Sequence, residues 1–129
     1  MNSMTKAGHI YLIDDDESMR VSLSRMLREL GYLVEDYSSA ATFLQKSIPI
    51  APAVILLDMQ MPDMTGLDLQ EKLLSLGRKT PIVFVSGQSH PHQIVQGLKK
   101  GALDFLFKPF NLEELLKAVA DAIALMDVS

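Results

Sequence analysis

Cysteine is missing altogether from the 129 residues. Its absence removes disulfides, Cys-ligated zinc, iron–sulfur clusters and thiol catalysis together. Long apolar runs are missing too: none approaches the roughly 20 residues needed to span a bilayer. The first eight residues, Met1 to Gly8, are short and polar and lack the apolar core of a signal peptide, so they are expected as a disordered tail. A cytoplasmic location is the expectation that follows. Positive charge is in short supply, with 12 Lys and Arg against 16 Asp and Glu, a formal balance of −4. A negative domain is a poor non-specific ligand for nucleic acid, so the chain is not expected to grip DNA itself. There is no internal repeat, low-complexity block or evident linker. The chain is 48% hydrophobic and 22% charged, which suits one globular domain with a full core.

Short apolar runs alternate with longer amphipathic stretches. Ile10–Ile13, Ala53–Leu57, Ile82–Val85 and Leu103–Phe107 read as strands, and Tyr32–Asp36 as a weaker one nearer an edge. The middle two are apolar throughout, as expected of strands covered on both faces. Met19, Leu23, Met26, Leu27 and Leu30 recur at helical spacing and stop at Gly31. Phe43 and Leu44 mark a short second helix. Leu67, Leu69, Leu73, Leu74 and Leu76 mark a third, closed by Gly77. Pro91 suits the first turn of a fourth, which ends at Gly101. Leu112, Leu115, Leu116, Val119, Ile123 and Met126 form the last, with Asn111 and Glu114 spaced as a capping box. Five βα units argue an α/β fold: a flavodoxin-like, doubly wound parallel sheet of order 2-1-3-4-5.

In such sheets ligands sit outside the carboxyl ends of the strands. The residues that fall there are chemically related. Asp14, Asp15 and Asp16 follow the first strand, Asp58 the third, Ser86 and Gly87 the fourth, and Lys108 and Pro109 the fifth. Asp14, Asp15 and Asp58 would repel one another, and a divalent cation restores the balance. Oxygen ligands without nearby Cys or His point to a hard ion, and few carboxylates suit Mg²⁺ better than Ca²⁺. An ion, a hydroxyl and an ammonium together make a receptacle for a phosphoryl group. Asp58, ending the most apolar strand, is the best candidate nucleophile.

These residues resemble the receiver domain of two-component response regulators. The resemblance runs from about Ile10 to Met126, within an expected domain of residues 9–127. It rests on the acidic run, on Asp58 followed by Met61, Pro62, Asp63, Met64, Thr65 and Gly66, on Val85, Ser86 and Gly87, and on Lys108, Pro109 and Phe110. Met61 to Gly66, with Gly101, Ala102, Asp104 and Phe105, look most like the nitrogen-fixation and nitrate regulator branch. That branch usually adds a DNA-binding output domain, which these residues do not include.

The resemblance implies a signalling switch rather than a conventional enzyme. Asp58 would accept a phosphoryl group from a sensor histidine kinase. Asp15 would bind Mg²⁺ directly, Asp14 through water, and the Gln60 backbone carbonyl would complete the shell; Asp15 with Asp16 is the alternative acidic pair. Ser86 would bond a phosphoryl oxygen, with the amides of Met59 and Gly87 nearby. Lys108 would pair first with Asp58 and then with the phosphoryl group, and the Lys108–Pro109 bond would be cis. Phe105 stands at the aromatic switch position, where Phe replaces Tyr, and Ser86 replaces the commoner Thr. Gln60 and Gln88 would tune autodephosphorylation. The face of helix four, strand five and helix five would change shape and be read by a homodimer or an output domain. A dehalogenase-type phosphatase is the enzymatic rival, but it wants a second Asp where Gln60 stands.

Overall fold

The computed structural model describes residues 8–46, 53–87 and 91–127. The expected tail, apart from Gly8, lies outside them, as does Gln88. In chain order the elements are β1 (His9–Ile13), α1 (Glu17–Glu29), β2 (Leu33–Tyr37), α2 (Ala40–Lys46), β3 (Ala53–Asp58), α3 (Gly66–Ser75), β4 (Ile82–Ser86), α4 (Pro91–Lys99), β5 (Asp104–Phe107) and α5 (Leu112–Asp127). The sheet has order β2-β1-β3-β4-β5, as the alternation of elements predicted, and every pairing is parallel.

Side chains on a strand point alternately to its two faces. Here both faces are apolar and each is covered. Tyr11, Ile13, Ile55, Leu57 and Phe84 face one core with Phe43 of α2 and Leu69 and Leu73 of α3. Ile10, Leu12, Val54, Leu56 and Val83 face the other with Leu27 of α1 and Leu115 and Val119 of α5. Every residue of β3 and β4 is buried. That double coverage explains why both strands read as unbroken apolar runs. No helix among the described residues is long and apolar enough to cross a membrane.

The helix ends follow local rules. Asp16 caps α1 by accepting from the Met19 amide at 3.2 Å. Asn111 and Glu114 form the expected box, with the Glu114 amide bonding Asn111 Oδ1 at 2.7 Å. Thr65 and Asp68 form a second box at the start of α3. Gly31 and Gly77 end α1 and α3 at φ 101° and 74°, a region that disfavours side chains. Leu30, Leu74, Leu76 and Leu112, which fit the helical spacing, are exposed instead of core.

Several boundaries differ from the sequence reading. β2 starts one residue later because the Tyr32 amide still belongs to the helix end, bonding the Leu27 carbonyl at 3.2 Å. It ends one later because the Tyr37 carbonyl accepts from the Asp14 amide at 3.1 Å. β3 and β4 each extend one residue, so Asp58 and Ser86 are strand residues, with Asp58 paired to Val85 and Ser86 to Phe107.

Phe84 packs between two glycines. A β-carbon on Gly66 would stand 2.9 Å from the Phe84 ring, and one on Gly97 2.8 Å from it. Phe84 is fully buried and cannot yield. Gly97→Ala should therefore lose about 1–3 kcal/mol to overpacking, less the ~1 kcal/mol that alanine gains in a helix. Urea unfolding should show a lower midpoint with an unchanged slope; an equal or higher midpoint would contradict this packing.

Candidate functional site

Four strand ends bring the predicted residues together. Asp14 follows β1 and is 2% exposed. Its Oδ1 accepts from the Asp16 amide at 2.9 Å, and its Oδ2 accepts from Lys108 Nζ at 3.1 Å. Its carbonyl accepts from the Arg20 guanidinium at 2.9 Å. Asp15, next in the chain, is exposed. Asp16 turns away to cap α1, which separates it from the acidic group. One oxygen each of Asp14, Asp15 and Asp58 lies within 4.8 Å of the others.

Asp58 closes β3 and is 5% exposed. Lys108 Nζ stands 4.0 Å from its Oδ1, farther than from Asp14. The Gln60 amide approaches the same oxygen at 3.4 Å. The Met59 amide, expected beside a phosphoryl group, is instead committed to the Val85 carbonyl at 3.2 Å. Gln60 is therefore the residue whose amide faces the carboxylate. Ser86 closes β4 fully buried, and its carbonyl accepts from the Lys108 amide at 2.8 Å. The Lys108–Pro109 bond is cis. Gly66 is forced by space: a β-carbon there would lie 2.9 Å from the Asp58 carbonyl.

Burial, then the nearby Asp14 charge, pushes the Asp58 carboxyl from 3.8 to about 7, with Lys108 pulling the other way. A single ammonium does not neutralise three clustered acids. An all-oxygen donor set with surplus negative charge fits a small hard divalent cation, so the residues present suit Mg²⁺. One carboxylate sits exposed at the mouth and two are buried, which lets an ion keep part of its water.

Phe105 is half-buried in β5. Its ring lies 5.7 Å from that of Phe84 and 5.2 Å from that of exposed Phe107. The three rings form a continuous row from the core to the surface. Sequence reasoning missed Arg20, which ties the Asp14 carbonyl to Asp36 of β2 through an ion pair of 3.4 Å. No local pattern signals it, because Asp36 arrives from another strand. It also missed the Thr65–Asp68 box, whose spacing was visible.

A family model described as the response regulator receiver domain matches residues 10–120. The response regulator protein TmoT of Ectopseudomonas mendocina is 42% identical over 116 residues, covering 90% of this chain and 53% of its own length. The transcriptional regulatory protein FixJ of Azorhizobium caulinodans is 34% identical over 116 residues, covering 90% and 55%. Among solved structures, that of response regulator StyR aligns with a TM-score of 0.87 at 37% identity, covering 93% of this chain and 61% of that one. A FixJ-N crystal structure aligns with a TM-score of 0.82 at 32% identity, covering 90% and 93%. The chain spans about half the length of the curated relatives it matches.

The Asp58 shift has a sign that stability measurements can read. Its folded value lies above its ordinary one, so the associated stability is complete below pH 3.8 and is lost as pH rises through about 7. In metal-free buffer, Asp58→Asn should be more stable than wild type above pH 7, by up to about 4 kcal/mol for a shift of that size. The difference should shrink as pH falls toward 4. Thermal melts with chelator across that range check it; a constant or inverted difference would count against the buried, charge-crowded carboxyl.

Proposed function

The chain belongs to the response regulator receiver domain family, and we propose that it is a phosphorylation switch whose acceptor is Asp58. The observation that carries this reading is the meeting of Asp14, Asp15, Asp58, Ser86 and Lys108 at one sheet edge. Asp58 is the buried carboxylate on a rigid strand end, with a lysine ammonium within 4.0 Å. A receiver of this kind is a signalling domain of two-component systems, and transcriptional regulators are among its relatives.

The proposed donor is the phosphohistidine of a sensor kinase. A carboxylate oxygen of Asp58 attacks phosphorus, the nitrogen–phosphorus bond breaks, and the imidazole leaves with its electron pair. Asp14, Asp15, Asp58 and the Gln60 carbonyl would hold Mg²⁺, which when bound offsets the crowded acids and the charge on phosphoryl oxygens. Lys108 moves between partners: it neutralises Asp14 and Asp58 beforehand and binds a phosphoryl oxygen afterwards. The Gln60 amide and the Ser86 hydroxyl supply hydrogen bonds to the other oxygens. Water later cleaves the acyl phosphate, and the Gln60 side chain, which is exposed, is assigned the tuning of that step. Gln88, given the same role, lies outside the described residues.

Signal output follows from Ser86 and Phe105. Drawing the Ser86 hydroxyl toward the phosphoryl group changes the packing beside Phe105, which then turns inward. The α4–β5–α5 face exposes Val95, Leu98, Leu103, Phe107 and Leu112. This apolar surface is the proposed contact for a second copy or an output domain, a population shift rather than a refolding. DNA contact is assigned to such an output domain, not to this negatively charged module. The proposed location is the cytoplasm, where a kinase's phosphohistidine is accessible.

Incubation with acetyl phosphate and Mg²⁺ should add one acid-labile phosphoryl group by intact mass. Asp58→Ala should add none, and equal labelling of both would defeat the assignment. Lys108→Ala should label more slowly and lose phosphate-dependent dimerisation, measured by light scattering. A normal dimerisation response in that variant would remove Lys108 from the switch.

A further inference from the structure

Helix α4 is mostly exposed. Of its nine residues, only Gly97 is buried. That glycine carries two attachments. Its backbone lies against the Phe84 ring, and its carbonyl accepts from Gln70 Nε2 of α3 at 2.9 Å. The same carbonyl also closes the end of the helix by accepting from the Ala102 amide at 3.0 Å.

Gln70 is an unusual residue to find in this position. It is 1% exposed in a helix that otherwise buries leucines and a glycine. Its orientation is settled by chemistry: a carbonyl only accepts, so the amide nitrogen must face Gly97. The Oε1 atom is then left buried without a partner among the described residues. A buried amide satisfied on one side alone is costly for mere packing, since leucine or methionine would fill the same space. The contact earns its place by holding something specific, and what it holds is α4.

The end of α4 is not closely packed on every side. A cleft of about 330 Å³ lies beside Gln70 and is lined by Leu73, Ile82, Lys100 and Gly101. It borders the end of α4 through Lys100 and Gly101, the two residues that follow the helix. A second tie, from Lys100 to Glu71, is exposed on both partners and therefore weak. At its other end α4 follows β4, which terminates in Ser86, and its exposed Val95 and Leu98 belong to the proposed output face.

We infer that Gln70 is a positioning residue, a latch whose hydrogen bond to Gly97 holds α4 in its resting place. The term resting depends on the switch reading above; the latch itself does not. Gln70→Leu removes the donor at similar volume, and Gln70→Glu sets an acceptor against the Gly97 carbonyl. In the unphosphorylated chain, both should speed amide hydrogen exchange across α4 by about tenfold. Peptides from β1 and β3 should keep wild-type exchange, and Glu71→Gln should leave α4 unchanged. Acetyl phosphate should still label Asp58 in every variant. Unchanged α4 exchange, or a uniform rise across the sheet, would overturn the latch. Absence of labelling in wild type and variants alike would overturn the switch reading, with the exchange data still deciding the latch.

Discussion

Two buried carboxylates, Asp14 and Asp58, share the one ammonium of Lys108, at 3.1 and 4.0 Å. Everything else at the carboxyl edge of the sheet serves or suffers from this arrangement. Removing two acids from water costs several kcal/mol apiece unless each is compensated. Burial and the Asp14 charge outweigh the one lysine, which is why the Asp58 carboxyl is pushed up to about 7. The fold thus carries a local charge conflict that a cation or a transferred group can relieve. Conflict of this kind, inside an otherwise consistent structure, is the physical mark of a site.

The conflict is tolerable because the scaffold around it is rigid. Asp58 and Ser86 sit in ladder positions of the two strands that are buried throughout. Gly66 brings the start of α3 against the Asp58 carbonyl, and its amide bonds the Met59 carbonyl at 2.8 Å. Arg20 and Asp36 hold the Asp14 backbone from the far side. The acids are held close together, so their repulsion shows as a raised Asp58 pKa.

Rigidity on one side contrasts with loose attachment on the other. The row Phe84, Phe105, Phe107 leads from the core to the surface, and Gly97, the buried residue of α4, lies over its inner end. A stiff site beside a lightly held helix is the layout expected of a two-state element: small changes at the site can alter which packing of the helix is favoured. The half-satisfied Gln70 belongs to this looser half of the molecule.

Much of this was legible in the chain itself. Two apolar runs identified the central strands, helical spacing and glycine stops marked the helices, and acids, hydroxyl and lysine fell at the ends of four of the five strands. Local chemistry suffices for such features, because periodicity, caps and strand ends are set by neighbours in sequence. What only the tertiary structure decided was which acids share a cavity: Asp16 is drawn off by the α1 amides, while Asp14 is fixed by a lysine 94 residues away. The same holds for Arg20 with Asp36, for Gln70 with Gly97, and for the choice of the Gln60 over the Met59 amide. Each of these depends on the distance and direction between separate elements. Those are properties of packing, and no single stretch of sequence contains them.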